Sequence, residues 1–175
     1  MNSQLPEITF RALEPEDLDM LYEIENDRSI WHVGVSNVPY SRYLLHDYIA
    51  KSVGDIYTDR QVRLIIENNC HQPVGLIDVF SFDAAHRRAE LGIVIMQTYR
   101  RQGFASAALH EIEVYARRIL HLHQLYVYVD LANEPCLNLF RKMGYQGASI
   151  LKEWLFDGEK YHDVALLQTF FEKKQ

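Results

Sequence analysis

The segment ELGIVIM at residues 90–96, followed by QTYRRQGFAS at 97–106, decides the fold of this 175-residue chain. Its first half is apolar and rich in β-branched residues, which predicts a buried strand. From Ala105 to Ile119 the apolar residues recur at helical spacing, which predicts an amphipathic helix. Gly103 therefore lies where the exit loop of a strand becomes the N-terminus of a helix.

This strand–turn–helix is suited to binding an anion. The first N–H groups of a helix have no partner within the helix, and the helix dipole places partial positive charge there. Gly103 lets the backbone approach a phosphate closely, and Arg100 and Arg101 add fixed positive charge. A tight turn with solvent-facing arginines gives the same pattern, so the turn alone leaves both interpretations open.

Three other segments contain local signals for the ends of strands and helices. The segment VDLANEPC at 129–136 predicts the end of a strand and a helix capped by Asn133. The segment FRKMGY at 140–145 ends that helix at Gly144, and HRRAE at 86–90 precedes the deciding strand.

Together these segments resemble the GNAT acetyltransferases. That family carries Arg/Gln-x-x-Gly-x-Gly/Ala between a strand and a helix, which here is the segment from Arg100 to Ala105. The HRRAE segment is similar, more specifically, to the bacterial spermidine and diamine N-acetyltransferases. The resemblance covers essentially the whole chain in element order, is most specific from His86 to Tyr161, and is weak before Val62.

The resemblance implies acetyl-CoA as the acetyl donor and direct transfer in a ternary complex, without a protein nucleophile. It implies that strands on either side of the glycine turn part to admit the pantetheine arm. The residues implied in binding acetyl-CoA are Ile93, Val94 and Ile95 through their backbone, Arg100, Arg101, Gln102, Gly103, Phe104, Ala105, Ser106, Asn133 and Phe140. Asn133 has helix capping as an alternative role.

Glu90 is the candidate catalytic base. An alkylammonium with a pKa of about 10 must lose a proton before it attacks a thioester. The resemblance places the glutamate of HRRAE at the substrate site, where it deprotonates the amine directly or through water, or holds the cation. The alternative is an edge glutamate paired with Arg87 or Arg88.

Phe140 departs from the family pattern, which has a tyrosine there to protonate the leaving sulfur. Phenylalanine has no proton to give. Either the thiolate leaves unassisted, or another group serves, with Tyr145, Tyr128 and Cys136 as candidates.

Composition narrows the function classes. A length of 175 residues predicts a single domain over the whole chain, 1–175. The formal net charge of −6 argues against nucleic-acid binding, and the absence of a long apolar run argues against a membrane span. Cys70 and Cys136 have no metal-ligand spacing, so no metal is expected, and a cytoplasmic setting would keep them reduced. A homo-oligomer is compatible with the sequence.

The predicted order is a strand, two helices, three antiparallel strands, a helix, a strand, a helix and two strands. Pro15 is predicted to start the first helix and Ser41 to cap the second, and Asp157-Gly158 to form a hairpin turn. This order indicates an α+β protein of the GNAT fold, with a mixed, mostly antiparallel sheet and helices on both faces.

The acceptor amine is the least determined part. The loop VGVSNVP at 33–39 has no carboxylate where the spermidine enzymes use acidic residues, and Trp31 and His32 are pocket candidates beside it. The sequence therefore predicts an N-acetyltransferase for a primary amine, favouring a polyamine or diamine. The alternatives are an enzyme for protein N-terminal or other amines and a non-catalytic acyl-CoA-binding module.

Overall fold

The computed structural model describes residues 5–27, 38–52 and 54–171. Seven strands are formed by β1 (Ile8–Ala12), β2 (Val62–Asn68), β3 (Pro73–Asp83), β4 (Arg88–Ile95), β5 (Gln124–Asp130), β6 (Gln146–Phe156) and β7 (Tyr161–Phe170). The described helices are α1 (Leu18–Glu25), α2 (Arg42–Lys51), α3 (Ile56–Asp59), α4 (Phe104–Arg118) and α5 (Glu134–Lys142), with 3₁₀ turns at Pro15–Asp17 and Gln97–Tyr99.

The strands form one mixed sheet in the order β1-β2-β3-β4-β5-β7-β6. Every neighbouring pair is antiparallel except β4 and β5, which run parallel on either side of the crossover helix α4. The predicted class and order of elements are confirmed. The short helix α3 was not predicted, because its four residues are too few to show a helical period.

Two apolar layers cover the sheet. One face of β2–β4 packs on α1 and α2 through a cluster that includes Leu21, Leu45 and Ile65. The other face packs on α4 and α5 in a larger cluster, in which Ala108, Leu109 and Ile112 of α4 are all fully buried. The helical spacing of these α4 residues is what sends one side of the helix into the core.

Local signals fix the helix starts. The Ser41 hydroxyl accepts a hydrogen bond from the Leu44 N–H at 3.1 Å, so Ser41 caps α2 as predicted. Asn133 caps α5 in the same way, with its side-chain oxygen 3.2 Å from the Cys136 N–H. Both contacts satisfy an N–H group that helix geometry leaves without a partner.

The β6–β7 hairpin closes around a histidine between two carboxylates. The chain turns over 157–160, where Gly158 adopts a φ of 102°. His162 on β7 contacts Asp157 at 2.6 Å through Nε2 and Asp130 on β5 at 3.2 Å through Nδ1. The hydrogen bond to Asp157, aided by the charges of both carboxylates, raises the pKa of His162 above its ordinary value. Protonated His162 therefore ties the hairpin to β5.

Replacing His162 by glutamine is expected to lower the Tm more at pH 6 than at pH 9. A group whose pKa is raised on folding stabilises fully below its unfolded pKa, and that stabilisation is lost as the pH rises through the folded value. Thermal melts of both proteins across this range measure the difference, with His46→Gln as the control. A Tm difference that stays constant with pH would contradict the role of the charge.

Candidate active site

The sheet opens between β4 and β5. These two strands pair only at Arg88 with Gln124, Ala89 with Leu125 and Glu90 with Tyr126. Past Glu90, the rest of β4 has β3 as its ladder partner, and the rest of β5 has β7. The facing edges of 91–95 and 127–130 are therefore not paired with each other. Backbone N–H and C=O groups on such edges are available to a ligand lying between the strands.

The turn after β4 is built by contacts from its own side chains. Arg100 Nε donates to the Ile95 carbonyl at 2.9 Å, and Gln102 Nε2 donates to the Thr98 carbonyl at 2.9 Å. The Phe104 ring is buried and meets the Tyr99 ring edge to face. Arg101 is exposed, and its guanidinium has no carboxylate partner among the residues described. Arg101 is therefore available to an anion.

Gly103 is the N-cap residue of α4, with a φ of 89°. Only glycine adopts this left-handed conformation without cost. A Cβ added there would lie 3.0 Å from Cδ of Pro6, so Pro6 covers that side of the glycine. The missing Cβ of Gly103 thus leaves space for Pro6 and permits the turn.

The N-terminus of α4 retains free donors. None of the described residues accepts a backbone hydrogen bond from the N–H of Phe104, Ala105 or Ser106, while Ala107 already bonds the Gly103 carbonyl at 3.0 Å. These three groups point out of the first turn of a 15-residue helix, at the positive end of its dipole. With Arg101 beside them, they suit the diphosphate of a coenzyme A thioester.

Glu90 lies at the point where β4 and β5 part. Its half-buried side chain accepts a 3.4 Å hydrogen bond from the Ser81 hydroxyl. The alternative pairing with Arg87 or Arg88 is not formed: Arg87 donates to the His121 carbonyl, and Arg88 binds Asp83 at 3.3 Å. Burial raises the pKa of Glu90 above its ordinary value, with partial opposition from the Ser81 hydrogen bond. A carboxylate of this kind is a better base than an exposed glutamate.

Asn133 and Phe140 have roles within the fold. The side-chain oxygen of Asn133 caps α5, which leaves its amide NH₂ as the group that can reach a ligand. Phe140 is only 1% exposed and meets the Tyr145 ring edge to face at 5.0 Å. Its burial supports the packing role, and it presents almost no surface to a cofactor.

The three candidate replacements for the missing tyrosine differ in accessibility. Tyr145 is 2% exposed, and burial raises the pKa of its hydroxyl far above the ordinary range. Burial also raises the pKa of the Cys136 thiol to about 11, which makes it a poor proton donor to a thiolate. Tyr128 alone of the three is exposed.

Two features of this site, the Ser81 contact and the Tyr128–Trp154 contact, were not identified from the sequence. A third feature, the predicted pocket residues near position 32, lies outside the described residues. Ser81 lies in β3 with a φ of 50°, at a register shift between Phe80 and Asp83, and no sequence motif marks it. The contact between Tyr128 on β5 and Trp154 on β6 depends on the strand order, in which β7 lies between them. Trp31, His32 and the loop residues 33–37 lie outside the described residues.

Comparison with known proteins agrees with this geometry. The family described as "Acetyltransferase (GNAT) domain" matches residues 7–146. The spermidine N(1)-acetyltransferase of Vibrio cholerae is 30% identical over 165 residues, covering 94% of this chain and 91% of that protein. A crystal structure of the spermidine N-acetyltransferase from V. cholerae with CoA and spermine has a TM-score of 0.83 and 28% identity, covering 93% of this chain and 95% of the other. A dodecameric structure of the V. cholerae enzyme has a TM-score of 0.79 and 28% identity, and covers 93% of both chains.

The opened sheet and the bare helix N-terminus thus define an acyl-CoA-binding fold, and the chain belongs to the GNAT acetyltransferases. It is an N-acetyltransferase that uses acetyl-CoA as its donor. Among the residues described, no helix has the length and apolarity that a membrane crossing requires.

Proposed function

We propose that this enzyme acetylates a primary amine of the polyamine or diamine type, by direct transfer from acetyl-CoA within a ternary complex. The observation that carries the proposal is the position of Glu90, whose carboxylate lies without a basic partner among the described residues at the point where the sheet opens. A carboxylate in that place attracts an ammonium group and receives its proton. The similarity to the V. cholerae spermidine enzyme supports the choice of a polyamine.

Acetyl-CoA would be held in two places. The N–H groups of Phe104, Ala105 and Ser106, with Arg100, Arg101 and Gln102 around Gly103, would bind the diphosphate. The backbone of Ile93, Val94 and Ile95, together with the NH₂ group of Asn133, would bind the pantetheine arm along the free edge of β4.

The transfer itself then needs few protein groups. Glu90 takes a proton from the ammonium group, and the free nitrogen attacks the thioester carbon while backbone donors stabilise the developing oxyanion. The C–S bond breaks and the thiolate leaves, while the nitrogen gives its remaining extra proton to water to form the amide. Phe140 has no proton to offer the thiolate, so this departure is unassisted. A thiolate with a pKa near 8.5, by analogy with cysteine, is stable enough to leave in this way.

An acceptor screen tests this proposal. Purified protein and acetyl-CoA are mixed with polyamines, diamines, N-terminal peptides and aminoglycosides, and thiol release is measured. We expect amine-dependent release that is highest with polyamines or diamines. Preference for a peptide would instead indicate a protein N-terminal acetyltransferase. Thermal stabilisation by CoA without release for any amine would indicate a non-catalytic module that has lost the acid at position 140.

We also propose that the whole chain forms one catalytic domain that works in the cytoplasm as a homo-oligomer. The dodecameric relative supports self-association. The exposed Phe156 and Tyr161 rings, with centroids 4.9 Å apart beside the hairpin turn, offer apolar surface for a second copy. Light scattering on the purified protein measures the assembly, and a monomer at working concentrations would contradict this part.

A further inference from the structure

We propose that three aromatic rings, Tyr126, Tyr128 and Trp154, bind the far ammonium groups of the acceptor while its reacting amine lies at Glu90. This inference rests on the proposed function and identifies how the same site would select a substrate with more than one positive charge. The three residues are called the aromatic row below.

The aromatic row begins at the catalytic carboxylate. Tyr126 is paired with Glu90 in the last register position before β4 and β5 part. Leu125, Val127 and Val129 point into the core shared with α4, so Tyr126 and Tyr128 lie on the opposite face of the sheet. The Tyr126 and Tyr128 ring centroids are 5.7 Å apart, and the next step, from Tyr128 to Trp154, is 6.1 Å.

The outer part of the row is open to solvent. Tyr128 is 37% exposed and Trp154 is 56% exposed, and their rings are stacked at an interplanar angle of 27°. The apolar cluster formed by α1 and α2 contains residues of β2, β3 and β4 but none from the described parts of β5, β6 or β7. Exposed tyrosine and tryptophan faces attract cations through their ring quadrupole, and tryptophan does so most strongly.

Three carboxylates on this face of the sheet are already paired with basic groups inside the protein. Arg63 binds Glu25 at 2.5 Å and Asp78 at 2.7 Å, and Asp130 contacts His162 at 3.2 Å. The loop at 33–39 contains no acidic residue. These carboxylates are therefore not available to a second ammonium group on the acceptor, and the ring faces of the aromatic row can bind it instead.

The ring spacing matches the spacing of charges in a linear polyamine. Standard N–C and C–C bond lengths place nitrogens joined by three or four methylenes roughly 5 to 6 Å apart in an extended chain. The centroid steps of 5.7 and 6.1 Å fall in this range. An extended polyamine with its primary amine at Glu90 can thus lay its next nitrogens against successive rings.

The test compares two acceptors in wild type and Trp154→Leu. Spermidine carries further ammonium groups, whereas 1-aminobutane offers the same primary amine with no other charge. We expect Trp154→Leu to lower kcat/KM for spermidine about three- to thirtyfold, mainly through KM, which is the range that a cation–π contact supplies. Turnover of 1-aminobutane should stay within twofold, and Trp154→Phe should restore most of the loss.

Two controls keep the outcomes separate. Phe170→Leu removes an exposed ring of the neighbouring strand β7 and should leave both acceptors unaffected. An unchanged thermal shift with CoA shows that Trp154→Leu is folded. If the wild type acetylates spermidine but Trp154→Leu changes neither acceptor, or weakens both equally, the aromatic row is not a cation site and the proposed function stands. If the wild type acetylates no polyamine or diamine, the proposed function fails, and this inference fails with it.

Discussion

Ser106→Asp is expected to weaken CoA binding at least tenfold without lowering thermal stability. Ser106 is the third residue of α4, where its N–H group has no described acceptor. A carboxylate in the first turn interacts favourably with the helix dipole, so the fold should be as stable as the wild type or more so. The same carboxylate repels a diphosphate and competes for the donors that would bind it. Calorimetric titration with CoA gives the affinity, and thermal melting gives the stability.

A matched variant separates the local effect from the change in net charge. Arg117→Glu lies in the last turn of the same helix, is exposed, and also makes the protein more negative. It should leave the CoA affinity within about threefold, because surface charges more than a Debye length apart are largely screened. The anion site is placed wrongly if Ser106→Asp binds CoA as the wild type does. Ser106 is a better test position than Gly103, whose φ of 89° and contact with Pro6 would strain any substitution.

Glu90→Gln is expected to lower kcat/KM for the amine about 10²- to 10⁴-fold at pH 7, the usual contribution of a general base. CoA affinity should be unchanged, because Glu90 lies at the inner end of the opening while the turn that would bind the diphosphate follows the other end of β4. Glutamine preserves the size of the side chain and its hydrogen bond with Ser81, so a structural effect should be small. Steady-state kinetics with saturating acetyl-CoA measures the loss.

The pH dependence of the wild type provides a second readout for Glu90. The base must be ionised to accept a proton, and burial raises the pKa of Glu90. As the pH is lowered, kcat/KM should therefore begin to decline at a pH above the ordinary glutamate pKa of about 4.3. That limb should vanish in Glu90→Gln and persist in Glu111→Gln, which alters an exposed glutamate on α4. Activity in Glu90→Gln within threefold of the wild type would remove Glu90 from the chemistry.

The sequence predicted the parts of the fold that depend on neighbouring residues. The strand 88–95, the glycine at the start of α4 and the caps Ser41 and Asn133 were all identified because period, turn chemistry and capping act within a few residues. The opening between β4 and β5 came from the family resemblance, and the three-position pairing confirms it. The periodicity of apolar residues in β4 and β5 does not indicate where the two strands separate.

Contacts between distant segments were beyond the sequence. Pro6 covers the Cβ side of Gly103 from nearly a hundred residues away, which adds a packing reason for the glycine. Arg63 neutralises Glu25 and Asp78, which removes two carboxylates that a sequence would offer to a polycation. The burial of Tyr145 likewise follows from the packing of α5 against the sheet. Each depends on tertiary structure, which local pattern does not encode.

The account depends on a thioester lying in the gap between β4 and β5 with its diphosphate on the first turn of α4. A crystal structure of the protein with CoA measures this directly. We expect phosphate oxygens within hydrogen-bond distance of the N–H groups of 104–106, and the pantetheine arm between 91–95 and 127–130 with its sulfur near Glu90. CoA bound elsewhere, or a gap closed by continuous pairing of β4 and β5, would contradict it.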